Sequence, residues 1–180
     1  AELAAMFAFG GEIKYGAEKR LSLHFLAENE SVARKYFTLL EKTFRISKVF
    51  SIGDVLYRKN NKYVVDIPSE DEAVRILQAM KYLSQDRMPI TFNGLVNPLI
   101  IQKNCCKRAF LRGAFLCAGS ISDPEKFYHF EIVCTSLLKA EQLQETLHSF
   151  EVEAKIVSRK KHEVVYVKEG AQIVELLGVM

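Results

Sequence analysis

LAAMFAFGGEI (residues 3–13) and LRGAFLCAGSI (residues 111–121) share one plan: an apolar helix of about two and a half turns, a glycine, then a short extended piece. Reading outward from each, the same series of elements follows twice. RLSLHFLA (20–27) and YHFEIVCT (128–135) alternate cleanly, so Leu21, Leu23 and Phe25 share one face of a strand, as do Tyr128, Phe130 and Ile132. SVARKYFTLLEKTF (31–44) and LLKAEQLQETLHSF (137–150) carry apolar residues at helical spacing, and both end on phenylalanine. Residues 48–67 and 153–168 read as hairpins. Residues 68–80 and 169–180 read as closing helices, the first with Ser69 as N-cap and acidic residues in its first turn, where the helix dipole favours them.

The fold class is therefore α+β, with two pseudo-symmetric α-β-β-α-β-β-α repeats at residues 1–82 and 105–180. A connector, 83–104, contains Pro89, Gly94 and Pro98 and no sustained period. Each repeat builds an antiparallel sheet with helices on one face. The small residues Ala4, Ala5 and Ala8 in one opening helix, and Gly113 and Ala114 in the other, suit a close helix crossing, because backbones approach only where side chains are short. Ordinary core packing makes the same use of them.

Composition sets bounds on function. With 180 residues, 49% apolar and 26% charged, the chain is a globular protein able to bury a core. Its net charge of +3 means that any affinity for a polyanion depends on the placement of Lys and Arg, not their number. Cys105, Cys106, Cys117 and Cys134 form no CxxC pair and have no histidine at zinc spacing, so they read as reduced thiols, with the adjacent pair buried near a helix start. No apolar run approaches the roughly 18 residues needed to span a bilayer, and no secretory signal pattern opens the chain, which points to a cytoplasmic setting without a membrane partner. A start without Met and a stop just after a helical pattern read as a piece of a longer protein. GGEI lacks the Lys-Ser/Thr continuation of a phosphate loop, the four histidines are scattered, and no cofactor is called for.

The doubled pattern, with residues 3–11 and 111–119 over a nine-residue motif, resembles the LAGLIDADG family of homing endonucleases. The second half, from CKRAFLRGAFL through GSISDPEK to KEG, looks more closely like WhiA, a family of bacterial sporulation and cell-division regulators with a LAGLIDADG-like N-terminal part and a C-terminal helix-turn-helix domain. The resemblance implies two motif helices packed on a pseudo-twofold axis and two sheets forming a saddle for duplex DNA. In the nucleases the penultimate motif residue is an acidic ligand of the divalent ion that activates water. Gly10 and Ala118 stand at those positions and coordinate nothing. Glu12 is a displaced candidate ligand, but its counterpart is Ser120. The resemblance thus implies a non-catalytic module, without a metal, that aids DNA binding or contacts other transcription-regulatory proteins in the nucleoid, with sequence recognition left largely to the helix-turn-helix domain. The alternatives are a metal-dependent endonuclease of unusual ligation and a pure protein-interaction platform.

The candidate DNA contacts are cations near equivalent turns: Arg58, Lys59 and Lys62 in the first copy, and Arg159, Lys160 and Lys161 in the second. Lys14 and Lys126, after the motif helices, and Arg20, on the open strand face, extend the set. Solvation of exposed turns accounts for the hairpin cations as well as phosphate contact does. Asn60 and Asn61 fit either an adenine edge or a tight turn.

Overall fold

The computed structural model describes residues 1–16, 20–46, 52–90, 94–123, 125 and 127–180. Its elements run α1 (Glu2–Gly10), β1 (Gly11–Tyr15), β2 (Leu21–Ala27), α2 (Glu30–Phe44), α3 (Ile52–Val55), β3 (Leu56–Lys59), β4 (Lys62–Ile67) and α4 (Glu70–Ala79). A 3₁₀ turn at Pro98–Ile100 precedes α5 (Asn104–Ala118), β5 (Gly119–Ile121), β6 (Phe130–Cys134), α6 (Leu137–His148), β7 (Lys155–Arg159), β8 (His162–Val167) and α7 (Gly170–Val179). This is the doubled α-β-β-α-β-β-α order, with one short helix, α3, added before the first hairpin. No helix among the described residues is long and apolar enough to cross a membrane.

Each copy forms a four-stranded antiparallel sheet, in the orders β1-β2-β4-β3 and β5-β6-β8-β7. In the first, α2 and α4 cover β2 and β4. Leu23, Phe25, Tyr36, Leu40, Ile67 and Ile76 are buried there, and Phe25 stacks on Tyr36 with ring centres 4.0 Å apart. In the second, α5 and α6 lie on the sheet over Phe130, Ile132 and Val165, and Phe115 stacks on Phe130 at 4.9 Å.

Helix starts follow local chemistry. The Asn29 side chain accepts from the Ser31 amide at 2.7 Å to open α2. Ser69 caps α4 through the Glu72 amide, with Glu70, Asp71 and Glu72 in its first turn, as the sequence indicates. Ser136 caps α6 through the Lys139 amide.

The chain divides into two compact units, residues 6–92 and residues 1–5 together with 93–180. The start of α1 therefore belongs with the second copy. There Arg112 donates to Glu2 at 2.9 Å and to the Met180 carbonyl. Ala4, Ala5, Gly113 and Ala114 are buried and Ala8 is half-buried.

Several local expectations need correction. Tyr128 does not share the buried face of Phe130 and Ile132: it precedes β6, is 54% exposed, and its ring lies where a Cβ on Gly170 would come within 3.2 Å. Helix α6 ends at His148, so Phe150 lies beyond it, with the Arg108 guanidinium over its ring at 5.8 Å. Helix α5 begins at Asn104, earlier than the apolar run suggests, and so takes in the cysteine pair. Cys105 is exposed and Cys106 half-buried, against the expected burial; all four cysteines are free. Residues 47–51 of the first hairpin segment lie outside the described residues.

Candidate nucleic-acid interface

The face of the first sheet away from its helices is set by strand register. Opposite pairs Glu12 with His24, Lys14 with Ser22, His24 with Asp66, Leu26 with Val64, Tyr57 with Val64, and Lys59 with Lys62 all fall on that side. Val64 and Val65 are both buried, so β4 breaks the alternation expected of a sheet with one wet face, and Val64 gives the open face an apolar floor beside Leu26 and Tyr57. Around that floor lies a groove of about 330 Å³ rimmed by Lys14, Lys59, Lys62, Asn60 and His24.

Three lysines thus line one groove with an apolar floor, and among the described residues no carboxylate lines it. Glu12 touches its edge, 3.3 Å from Lys14. Burial, the largest influence, pushes the His24 imidazole below its ordinary value. Asp66 opposes that shift, and the Lys14 and Lys59 charges reinforce it. His24 is therefore neutral at neutral pH and adds hydrogen-bonding capacity to the groove but no fixed charge.

The structure also gathers Ser22, His24 and Asp66. Ser22 Oγ lies 3.2 Å and Asp66 Oδ1 3.4 Å from the same ring nitrogen, Nε2. A nucleophile triad uses the two nitrogens separately, one to take the proton and one to be oriented, so this trio is not built for it.

The open face of the second sheet has different chemistry. At the position matching His24 stands Glu131, whose carboxylate meets His129 Nε2 at 2.9 Å, Arg159 Nη1 at 3.1 Å and Ser120 Oγ at 3.4 Å. The His129 hydrogen bond, foremost, holds the Glu131 carboxyl below its ordinary range; burial opposes this, and the charges of His129 and Arg159 add to it. Here too the strand that pairs at the centre has two buried valines in succession, Val164 and Val165.

The predicted contact residues separate on this framework. Lys14, Lys59 and Lys62 converge. Arg58 faces away, its guanidinium 5.7 Å from the Tyr63 ring centre and 3.5 Å from the Asn61 amide oxygen. Arg20 is exposed just before β2, and its carbonyl accepts the Gly16 amide at 2.9 Å. Arg159 is engaged by Glu131, whereas Lys160 and Lys161 are exposed in the β7–β8 turn. Lys126 lies outside the described residues. Asn60 and Asn61 both have positive φ, 48° and 60°, the conformation a two-residue hairpin turn demands; this assigns them to turn formation. Sequence reading did not identify Tyr57 as part of the groove floor or Ser120 as a partner of Glu131. The alternation of β3 and the register of β5 on β6 are the signals that place them.

At the foot of α1 there is no room for an acidic side chain. A Cβ on Gly10 would stand 2.8 Å from the Leu26 carbonyl oxygen and 2.8 Å from the Phe25 ring. The glycines that follow are equally enclosed: a Cβ on Gly11 would lie 2.2 Å from the Phe7 ring, and one on Gly119 would lie 2.1 Å from that of Phe115. Among the described residues, no group of three His, Cys, Asp or Glu side chains is placed to hold a metal ion.

Comparison with known proteins places this architecture. Residues 1–83 match the model of the WhiA N-terminal LAGLIDADG-like domain, and residues 107–180 match that of the WhiA LAGLIDADG-like domain. A probable cell division protein WhiA of Lachnoclostridium phytofermentans is 46% identical over all of this chain and 58% of its own length. Another from Desulforamulus reducens is 39% identical over all of the chain and 56% of its own. The chain thus spans a little over half the length of these relatives. Among solved structures, the N-terminal LAGLIDADG domain of DUF199/WhiA superposes over 99% of this chain and 80% of its own, at TM-score 0.67 and 17% identity. The homing endonuclease I-DmoI in complex with DNA and Mn covers 99% of this chain and 95% of its own, at TM-score 0.65 and 11% identity. The chain belongs to the WhiA family, of which it carries the LAGLIDADG-like part.

Proposed function

We propose that this chain is a non-catalytic LAGLIDADG-like module of a WhiA-type regulator of cell division or sporulation, which helps the whole regulator hold double-stranded DNA. The observation that carries the reading is the convergence of Lys14, Lys59 and Lys62 on the open face of the first sheet. Lysines gathered on one face neutralise phosphates and release condensed counterions, which strengthens binding without reading sequence. Homing endonucleases of the same fold have been solved on DNA, which supports a nucleic-acid role for such a sheet face.

The cutting function is not retained in this reading. Gly10 and Ala118 replace the two carboxylates, the space at Gly10 is filled, and Glu12 is paired with Lys14.

The test is a salt series of binding to a fluorescent duplex with Mg²⁺ present, comparing the chain with a Lys14→Gln/Lys59→Gln/Lys62→Gln variant. Binding is expected to weaken in the variant, with the slope of log K against log salt falling by about one per lysine. The duplex is expected to stay intact. Mg²⁺-dependent cleavage lost in Glu12→Gln would establish the nuclease instead, and identical binding by variant and parent would remove the groove from the interface.

A further inference from the structure

We infer that the open face of the second sheet binds unpaired bases of a single-stranded nucleic acid, a role separate from duplex holding by the first. Three rings form a row there. Phe127 and His129 have centres 6.4 Å apart, and His129 and Tyr166 are 6.1 Å apart with planes inclined by only 26°. Phe127 is 61% exposed. The 2.9 Å hydrogen bond from His129 Nε2 to the Glu131 carboxylate holds the ring in that near-parallel attitude, which makes Glu131 a positioning residue.

Beside Tyr166 opens a cavity of about 500 Å³ with Lys155 and Lys168 on its wall. Cations next to aromatic faces are what a flexible phosphodiester strand requires: each base has a π-face to stack, and each phosphate needs a counter-charge. The Glu131 carboxylate on this face is engaged by His129 and Arg159. Glu153 and Glu169 also line the cavity, so its two lysines face two carboxylates, and the row of rings rather than net charge carries the binding. The Lys168 ammonium sits 5.3 Å from the Tyr166 ring centre. An exposed cation–π contact is weaker than a base–aromatic stack, so an arriving base displaces that ammonium toward its own phosphate.

A duplex does not fit this chemistry, because its bases are paired and stacked on one another and offer no faces to side chains. The groove of the first sheet, by contrast, has three lysines, and its two rings, His24 and Tyr57, have no ring stacked beside them among the described residues.

The test measures binding of labelled oligothymidylate and oligouridylate of about eight nucleotides, with a duplex in parallel, to the 180-residue chain and its variants. Tyr166→Leu and, at the exposed ring, Phe127→Ala are each expected to weaken single-strand binding about tenfold and leave duplex binding unchanged. Phe127 is exposed, so Phe127→Ala reports even where Tyr166→Leu unfolds the sheet. The triple lysine variant of the first sheet is expected to do the reverse. Preference for thymidylate or uridylate tells DNA from RNA. Absence of salt-sensitive single-strand binding by the parent chain, or binding that survives both ring variants, overturns the inference. Single-strand binding by the parent chain without any duplex binding leaves the inference standing and counts against the duplex proposal.

Discussion

Glu131 decides what the second hairpin is able to do, because its carboxylate holds Arg159 at 3.1 Å and so removes a cation that the turn would otherwise present. Glu131→Gln keeps the shape and removes the charge. Freed, Arg159 is expected to raise single-strand affinity and steepen its salt slope by about 0.7, a gain that disappears in Glu131→Gln/Arg159→Ala. The same residue sets a pH dependence. Its folded-state pKa is depressed, so its contribution to stability is present above the ordinary carboxylate range, near 4.3, and is lost as pH falls through the lower folded value. Chemical denaturation of parent and Glu131→Gln at several pH values should show a stability difference that is constant near neutrality and shrinks in acid. At this scale the sequence showed where cations stand but not which are engaged. Lys59 and Arg159 end matching strands, yet one rims a groove and the other is held by a carboxylate 28 residues away.

At the scale of the element, the helix-to-strand junction is the tightest point of each copy. Gly119 has an ordinary extended backbone, with φ −90° and ψ 153°, so any residue suits its conformation; what excludes a side chain is the Phe115 ring, held in turn against Phe130. Gly119→Ala is expected to cost about 1–3 kcal/mol, which lowers Tm by roughly 2–4 °C per kcal/mol in a chain of this size. Phe115→Leu in the same chain should recover part of the loss, a result that identifies the ring as the cause. The junction glycines were legible in the sequence because they recur in both copies. The double valines of β4 and β8 were less so: alternation gives one buried face, and only the register across the sheet shows that Val64 and Val164 floor the other.

For the whole molecule, the repeat boundary and the packing boundary differ. Residues 1–5 belong with 93–180, and Leu3, Ala4 and Ala5 are buried. A fragment of residues 93–180 is therefore expected to unfold at lower urea concentration than the full chain, and a chain lacking residues 1–5 should lose the Glu2–Arg112 ion pair together with that burial. The sequence by itself determined the doubled order of elements, the α+β class and the cap at Ser69, because periodicity and capping are local. The tertiary structure alone decided which side chains come together: Lys14, Lys59 and Lys62 around one groove, Arg159 on Glu131, and the ring row of Phe127, His129 and Tyr166. The physical reason is that these contacts depend on strand order and register, in which the pairing of β2 with β4 and of β6 with β8 brings together residues far apart in the chain.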